Sequence, residues 1–139
     1  MMEKTSLLLE VLQKKSNYEE VVDSDPPFMN STLSEYLNEL IETKELKKAE
    51  VILQSGLERT YAYQIFSGKK TPARDKLLAL SIGMRLTFDE VQNLLKVNGY
   101  AQLYPKNKRD NIIIFAFYKG QKMWELNDNL LTMDEEIIM

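Results

Sequence analysis

Cysteine and histidine are both absent from the 139 residues. Their absence removes disulfides, thiolate chemistry, zinc sites of the usual ligand types and histidine acid–base catalysis. Glycine is scarce, with five residues, which leaves little material for a phosphate-cradling loop. No G-x-x-x-x-G-K-[ST] loop, G-x-S-x-G elbow or D-x-[DN]-x-[DN]-G calcium loop occurs. The chain is therefore expected not to be an enzyme, and to need no cofactor and no metal. No apolar run approaches the ~20 residues of a membrane span. The longest, Ile112 to Tyr118, reads as the buried stripe of a helix. Leu7-Leu8-Leu9 is followed at once by Glu10, which does not fit a signal peptide. A cytoplasmic protein with no membrane partner is the expectation. No segment alternates apolar and polar residues as a half-buried strand would, and no internal repeat is evident.

What is present is an uneven distribution of charge. The net charge is −3. Residues 1–43 carry three basic and nine acidic side chains, residues 44–76 eight and four, and residues 77–139 seven and eight. The basic excess sits in one block of 33 residues, and local charge, not the net value, steers a polyanion.

Helical periodicity and stop signals divide the chain. Thr5 to Lys15 reads as a short amphipathic helix with Leu8, Leu9, Val11 and Leu12 on its apolar side. Tyr18 to Asn30, acidic and broken by Asp25-Pro26-Pro27, reads as a linker. Thr32-x-x-Glu35 is a capping box that opens a helix ending near Thr43. Further helices are expected over about Lys47–Gln54, Glu58–Phe66, Pro72–Ile82, Thr87–Val97, Lys108–Lys119 and Met123–Leu131. Gly56, Gly68, Asn98-Gly99 and Gly120 supply the stops. The tail Asp134-Glu135-Glu136 is expected to fray. Phe115 and Trp124 are assigned to the core or to an interface.

The stretch Leu46 to Pro72 carries the functional signal. Gly56 stands where a tight turn between two short helices needs a positive φ. Leu57 follows as an apolar plug. Ala62, Ile65 and Phe66 form a buried face on the second helix, with Ala62 small where helices cross. Arg59, Thr60, Tyr63 and Gln64 fall on the exposed side. Tyr61 lies nearer the first helix of the pair.

These residues resemble the lambda-repressor-like, or xenobiotic-response-element type, helix-turn-helix family. Its pattern of Gly, apolar plug, polar run, spaced apolar residues, Gly, basic pair and Pro falls without a gap on Gly56 through Pro72. Thr87-Phe88-Asp89-Glu90-Val91 resembles the last step of that five-helix domain. The stretch from Leu103 to Ala116, L-Y-P-K-N-K-R-D-N-I-I-I-F-A, resembles a recurrent subgroup of small bacterial regulators of this type. The resemblance covers about residues 32–97, and with the helix pattern around it gives an all-α fold in three parts: an N-terminal helix and acidic linker (1–30), a five-helix helix-turn-helix domain (31–99) and a two-helix C-terminal extension (100–139), packed on the same domain or in a dimer interface. It implies that Arg59, Thr60 and Gln64 read base edges, with Tyr63 beside them. It also implies that Lys48, Ser67, Lys69 and Lys70 touch phosphates; Lys47 and Arg74, cations of the same basic block, are placed with them. The chemistry agrees: Arg pairs with guanine and Gln with adenine through two hydrogen bonds each, and Lys suits phosphate.

Four positions depart from the family pattern. Lys48 stands where Gln is common, Glu58 where a small polar residue is common, Phe66 where Glu is frequent, and Arg85 where Gly is usual. Glu58 is expected either to cap its helix or to pair with Arg59.

The reading that follows is a transcriptional regulator of repressor type that binds duplex DNA as a homodimer. The alternative is a protein-interaction module on the same fold, such as an antitoxin or phage-type inhibitor, working through its acidic N-terminal segment or its C-terminal helices. Self-association is expected through Val91, Leu94 and Leu95, or through Ile112, Ile113, Ile114, Phe115, Phe117 and Trp124.

Overall fold

The apolar spacing and stop signals become seven helices among the described residues, 32–139, of the computed structural model. They are α1 (Leu33–Thr43), α2 (Lys48–Ser55), α3 (Arg59–Ser67), α4 (Arg74–Gly83), α5 (Phe88–Val97), α6 (Lys108–Lys119) and α7 (Met123–Thr132). No strand occurs among these residues, and none of these helices is long and apolar enough to cross a membrane. The helix expected over Thr5–Lys15 and the linker over Tyr18–Asn30 lie outside the described residues.

One kind of turn joins four of the helix pairs. A residue with left-handed backbone ends the first helix, a residue turned inward follows, and an extended N-cap opens the next helix. The four triplets are Glu45-Leu46-Lys47, Gly56-Leu57-Glu58, Arg85-Leu86-Thr87 and Gly120-Gln121-Lys122. Glycine takes the left-handed backbone without strain. Glu45 and Arg85, at φ 56° and 57°, adopt it at a cost. That cost is offset because the turn satisfies the orphan carbonyls at each helix end, as in the bonds from Leu46 N to Ile41 O and from Leu86 N to Ser81 O.

Helix α4 is the centre of the molecule. Every residue from Leu77 to Gly83 is buried, as expected of a helix surrounded on all sides. It packs most extensively on α2 and also touches α7. Gly83 makes the first contact possible, because a Cβ there would lie 2.4 Å from the Val51 carbonyl oxygen and 3.1 Å from the Ser55 nitrogen. Around α4, Leu37 of α1, Val91, Leu94 and Leu95 of α5, Ile113 of α6, and Leu126 and Leu130 of α7 are all fully enclosed. Each such side chain contributes about 1.5–3 kcal/mol by leaving water. Val91, Leu94 and Leu95 are thus core residues and cannot form the expected association surface. Ile113, Ile114 and Phe117 are likewise covered by the chain itself, while Phe115 and Trp124 face outward instead of joining the core.

The C-terminal extension repeats the unit before it. Residues 74–103 and 109–138 carry the same bonds thirty-five positions apart. Arg74 gives its Nε and Nη2 to the carbonyls of Ala101 and Gln102, and Arg109 gives the same atoms to Glu136 and Ile137. The Gln92 amide holds both the N–H and the C=O of Leu103; the Asn127 amide holds both of Ile138. Thr87 N donates to Glu90, and Lys122 N to Glu125. Left-handed Arg85 and Gly99 correspond to left-handed Gly120 and Asp134. The internal repeat that the sequence conceals is therefore real at the level of the bonds between side chains and main chain. It also explains why the tail does not fray: Ile138 is buried as Leu103 is, and Lys108 pairs with Glu135.

The two units meet through reciprocal ion pairs. Arg74 binds both oxygens of Asp110, at 3.2 and 3.1 Å, and Arg109 binds both oxygens of Asp75, at 3.0 and 2.9 Å. Helix contacts follow the same reciprocity, α4 against α7 and α5 against α6. Such exchange is the mark of a two-fold relation between like units.

Two stability predictions follow from these contacts. Gly83→Ala pushes the α4 backbone off α2 and should cost at least about 2 kcal/mol, more than an ordinary overpacked site of that size. Asp110, which also accepts the Tyr104 N–H, is more enclosed than Asp75. Asp110→Ala should cost about 3 kcal/mol, because it removes an enclosed carboxylate and leaves both the Arg74 guanidinium and the Tyr104 N–H without that acceptor, and Asp75→Ala, at a more exposed pair, about 1 kcal/mol. Denaturant unfolding of the three variants measures both the sizes and the order.

Candidate nucleic-acid interface

The segment between α2 and α3 is held by its own side chains. Ser55, fully buried, donates its hydroxyl to the Ile52 carbonyl and accepts the Leu57 N–H. Gly56, at φ 77°, turns the chain. Glu58 then caps α3, its carboxylate accepting the N–H groups of Tyr61 at 2.8 Å and Thr60 at 3.2 Å. Those bonds, with Tyr61 the larger contributor, hold its pKa below the ordinary carboxylate range. Of the two roles expected for Glu58, capping is the one observed. Among the described residues it enters no ion pair with Arg59, which lies instead over the Tyr63 ring at 5.5 Å.

Ala62, Ile65 and Phe66 are buried, so the opposite side of α3 faces out. Lys48, Arg59, Thr60, Tyr63, Gln64, Ser67 and Lys69 line one shallow depression of about 580 Å³, together with Phe66. Seven of the ten residues singled out from the sequence are thereby brought together. Phe66 is an addition. Its ring is buried but forms part of the floor, and the Lys48 ammonium sits 5.0 Å above it. A signal for it was present, since an aromatic ring stands there where the pattern that the sequence resembles often carries Glu.

The remaining three residues are placed differently. Lys47 lines a neighbouring hollow with Glu45 and Glu50. Lys70 is exposed beside Lys69. The backbone N–H groups of both Lys69 and Lys70 are bound to the Gln64 carbonyl, so these residues can offer a phosphate only their ammonium groups. Arg74 faces the other way: four hydrogen bonds tie its guanidinium to Asp110, Ala101 and Gln102. Its donors are committed inside the chain, and we withdraw it from the phosphate-binding set. Tyr61 is half-buried, with the Lys76 ammonium 5.8 Å from its ring.

Among the described residues, no ion pair involves Lys47, Lys48, Arg59, Lys69 or Lys70. Among the described residues the rim of the depression thus carries cations without ion-paired acids, and the acid next to Arg59 in sequence, Glu58, is turned toward the α3 N-terminus. Compared with protein-family models, curated proteins and solved structures, the chain matches none.

The Glu58 cap has a pH signature. Its pKa is lower in the folded state, so its stabilisation is present above the ordinary carboxylate range and disappears as pH falls through the folded value. The melting temperature of Glu58→Gln should lie below that of the parent at neutral pH, and the gap should close as pH falls below the ordinary carboxylate range. A gap independent of pH would mean that the carboxylate charge plays no part in the cap.

Proposed function

We propose that the chain is a sequence-specific duplex-DNA-binding protein that lays α3 in the major groove. In this reading α1–α5 form the five-helix domain of the lambda-repressor-like type, and α6–α7 are its extension. The observation that carries the proposal is the gathering of Lys48, Arg59, Thr60, Tyr63, Gln64, Ser67 and Lys69 on one exposed face around the start of α3. An anionic groove wall needs unpaired cations, and base edges need forked donors and amides. Both kinds of group occur there. The Tyr63 ring beneath Arg59 keeps the guanidinium extended along the helix face, which lowers the entropy lost when it engages a base.

The roles divide by chemistry. Arg59 is proposed to address guanine and Gln64 adenine, with Thr60 and Tyr63 contacting neighbouring edges. Lys48, Ser67, Lys69 and Lys70 are proposed to hold phosphates on either side. A single unit of this kind covers few base pairs, so two copies on half-sites about 34 Å apart are the natural arrangement. Regulation of transcription, in the sense of repression by occupancy, is the role such binding supports.

Site selection from a randomised duplex library tests the proposal directly. Arg59→Ala should lose discrimination at one or two base pairs, about 1–3 kcal/mol, while non-specific binding survives. Replacing Lys69 and Lys70 by Ala together should weaken all sequences alike. It should also lower the slope of log affinity against log salt by about one to two. Failure of the parent chain to enrich any site above the library background would overturn the reading.

A further inference from the structure

The duplication lets each exposed position of one unit be compared with its counterpart in the other. On α5, Asp89 and Lys96 are exposed charges of the usual solvent-facing kind. Their counterparts on α7 are Trp124 and Leu131, which remain 69% and 70% exposed. They lie seven residues apart and so share one face of α7. On α4, Leu80 and Gly83 share the face that seats α2, and both are buried. Their counterparts on α6 are Phe115 and Tyr118, 47% and 69% exposed. The second unit thus keeps the bonds of the first but turns large apolar side chains outward at all four places. Scattered single apolar residues on a surface mean little. Four concentrated on two neighbouring helices, at positions charged or covered in the sister unit, mark a contact surface.

We infer that the outer faces of α6 and α7 bind the same faces of a second copy of this chain, α6 of one protomer against α7 of the other. Two features select a second copy. The units inside one chain already pair first helix on second helix in both directions, which is the arrangement two copies would repeat. The charges on the two faces are also opposite. Lys119 stands beside Phe115, 5.6 Å from its ring, and Asp128 lies between Trp124 and Leu131. Neither enters an ion pair among the described residues. Facing α6 with α7 brings Lys119 toward Asp128 of the other copy twice, once on each side of the two-fold axis. Facing like helices would set like charges together. The contact serves the two-half-site arrangement proposed above, yet it is a property of the protein alone.

The test is sedimentation equilibrium of the full chain over about 1–100 µM without DNA, with Trp124 fluorescence recorded across the same range. The expected result is a reversible dimer with Trp124 emission shifting to the blue on association. Trp124→Asp with Leu131→Lys installs the side chains that the sister unit carries, so the fold should persist by circular dichroism. That variant should weaken dimerisation roughly a hundredfold. Lys119→Asp and Asp128→Lys should each weaken it, and the two together should restore it. A monomeric parent at the highest concentration, or an unchanged dimer in the Trp124 and Leu131 variant, overturns the surface. Absence of rescue by the charge exchange overturns the pairing of α6 with α7. DNA selection is scored separately, so failure here leaves the reading of α3 standing.

Discussion

The missing side chain of Gly83 is the constraint on which the candidate site depends. It lets α4 approach until its backbone meets the Val51 carbonyl of α2. Everything about the exposed face follows from where α2 then lies. Ser55, at the end of α2, fixes the Gly56 turn through two hydrogen bonds, the turn aims α3, and α3 presents Arg59 and Gln64. The Asn38 amide adds a stay at the far end by donating to the Phe66 carbonyl, so α3 is anchored at its start through α2 and at its end through α1. A helix held at both ends loses little freedom when it meets a partner, which is the condition under which the proposed base reading would be specific at low entropic cost.

The C-terminal unit is joined to this scaffold by charge more than by apolar contact at its near end. Arg74 and Arg109 each bind one carboxylate and two successive carbonyls. A guanidinium in that setting has few donors left to satisfy. Hydrogen bonding to Asp75, the largest influence, raises the pKa of Arg109 above its ordinary value, so its charge persists at any pH at which the protein folds. The extended segments 101–103 and 136–138 gain order from these arginines and from the Gln92 and Asn127 amides, without any strand to pair with.

Helix limits were legible because they rest on local chemistry. Thr87-x-x-Glu90 caps α5 as read, and Gly56, Gly68 and Gly120 stop their helices as read. The outward side of α3 was legible because Ala62, Ile65 and Phe66 set its period. The duplication was not legible, because few side chains are shared and half of each repeated bond is a main-chain atom that the sequence does not display. Arg-Asp at the head of each unit, Glu90 with Glu125 and Leu95 with Leu130 are shared. The clamp, however, is Gln in one unit and Asn in the other, and the left-handed position is Arg in one and Gly in the other. The docked tail was hidden for a similar reason. Asp134-Glu135-Glu136 looks like a solvated acidic end, yet the Glu136 main-chain carbonyl accepts the Arg109 bond. Arg74 was misread because a count of charges does not reveal which cations are already answered within the chain.

The crossed Arg-Asp pairs carry a consequence for how the chain finds its fold. Both units open with the same dipeptide, and attraction exists only when the two are laid head to tail, Arg74 on Asp110 and Asp75 on Arg109. Laid side by side in the same order, Arg74 would face Arg109 and Asp75 would face Asp110. A misdocked hairpin would thus meet repulsion at both points where the native one meets attraction. Two residues written twice act as a lock that rejects its own mirror-ordered key, a form of proofreading that needs no apolar surface.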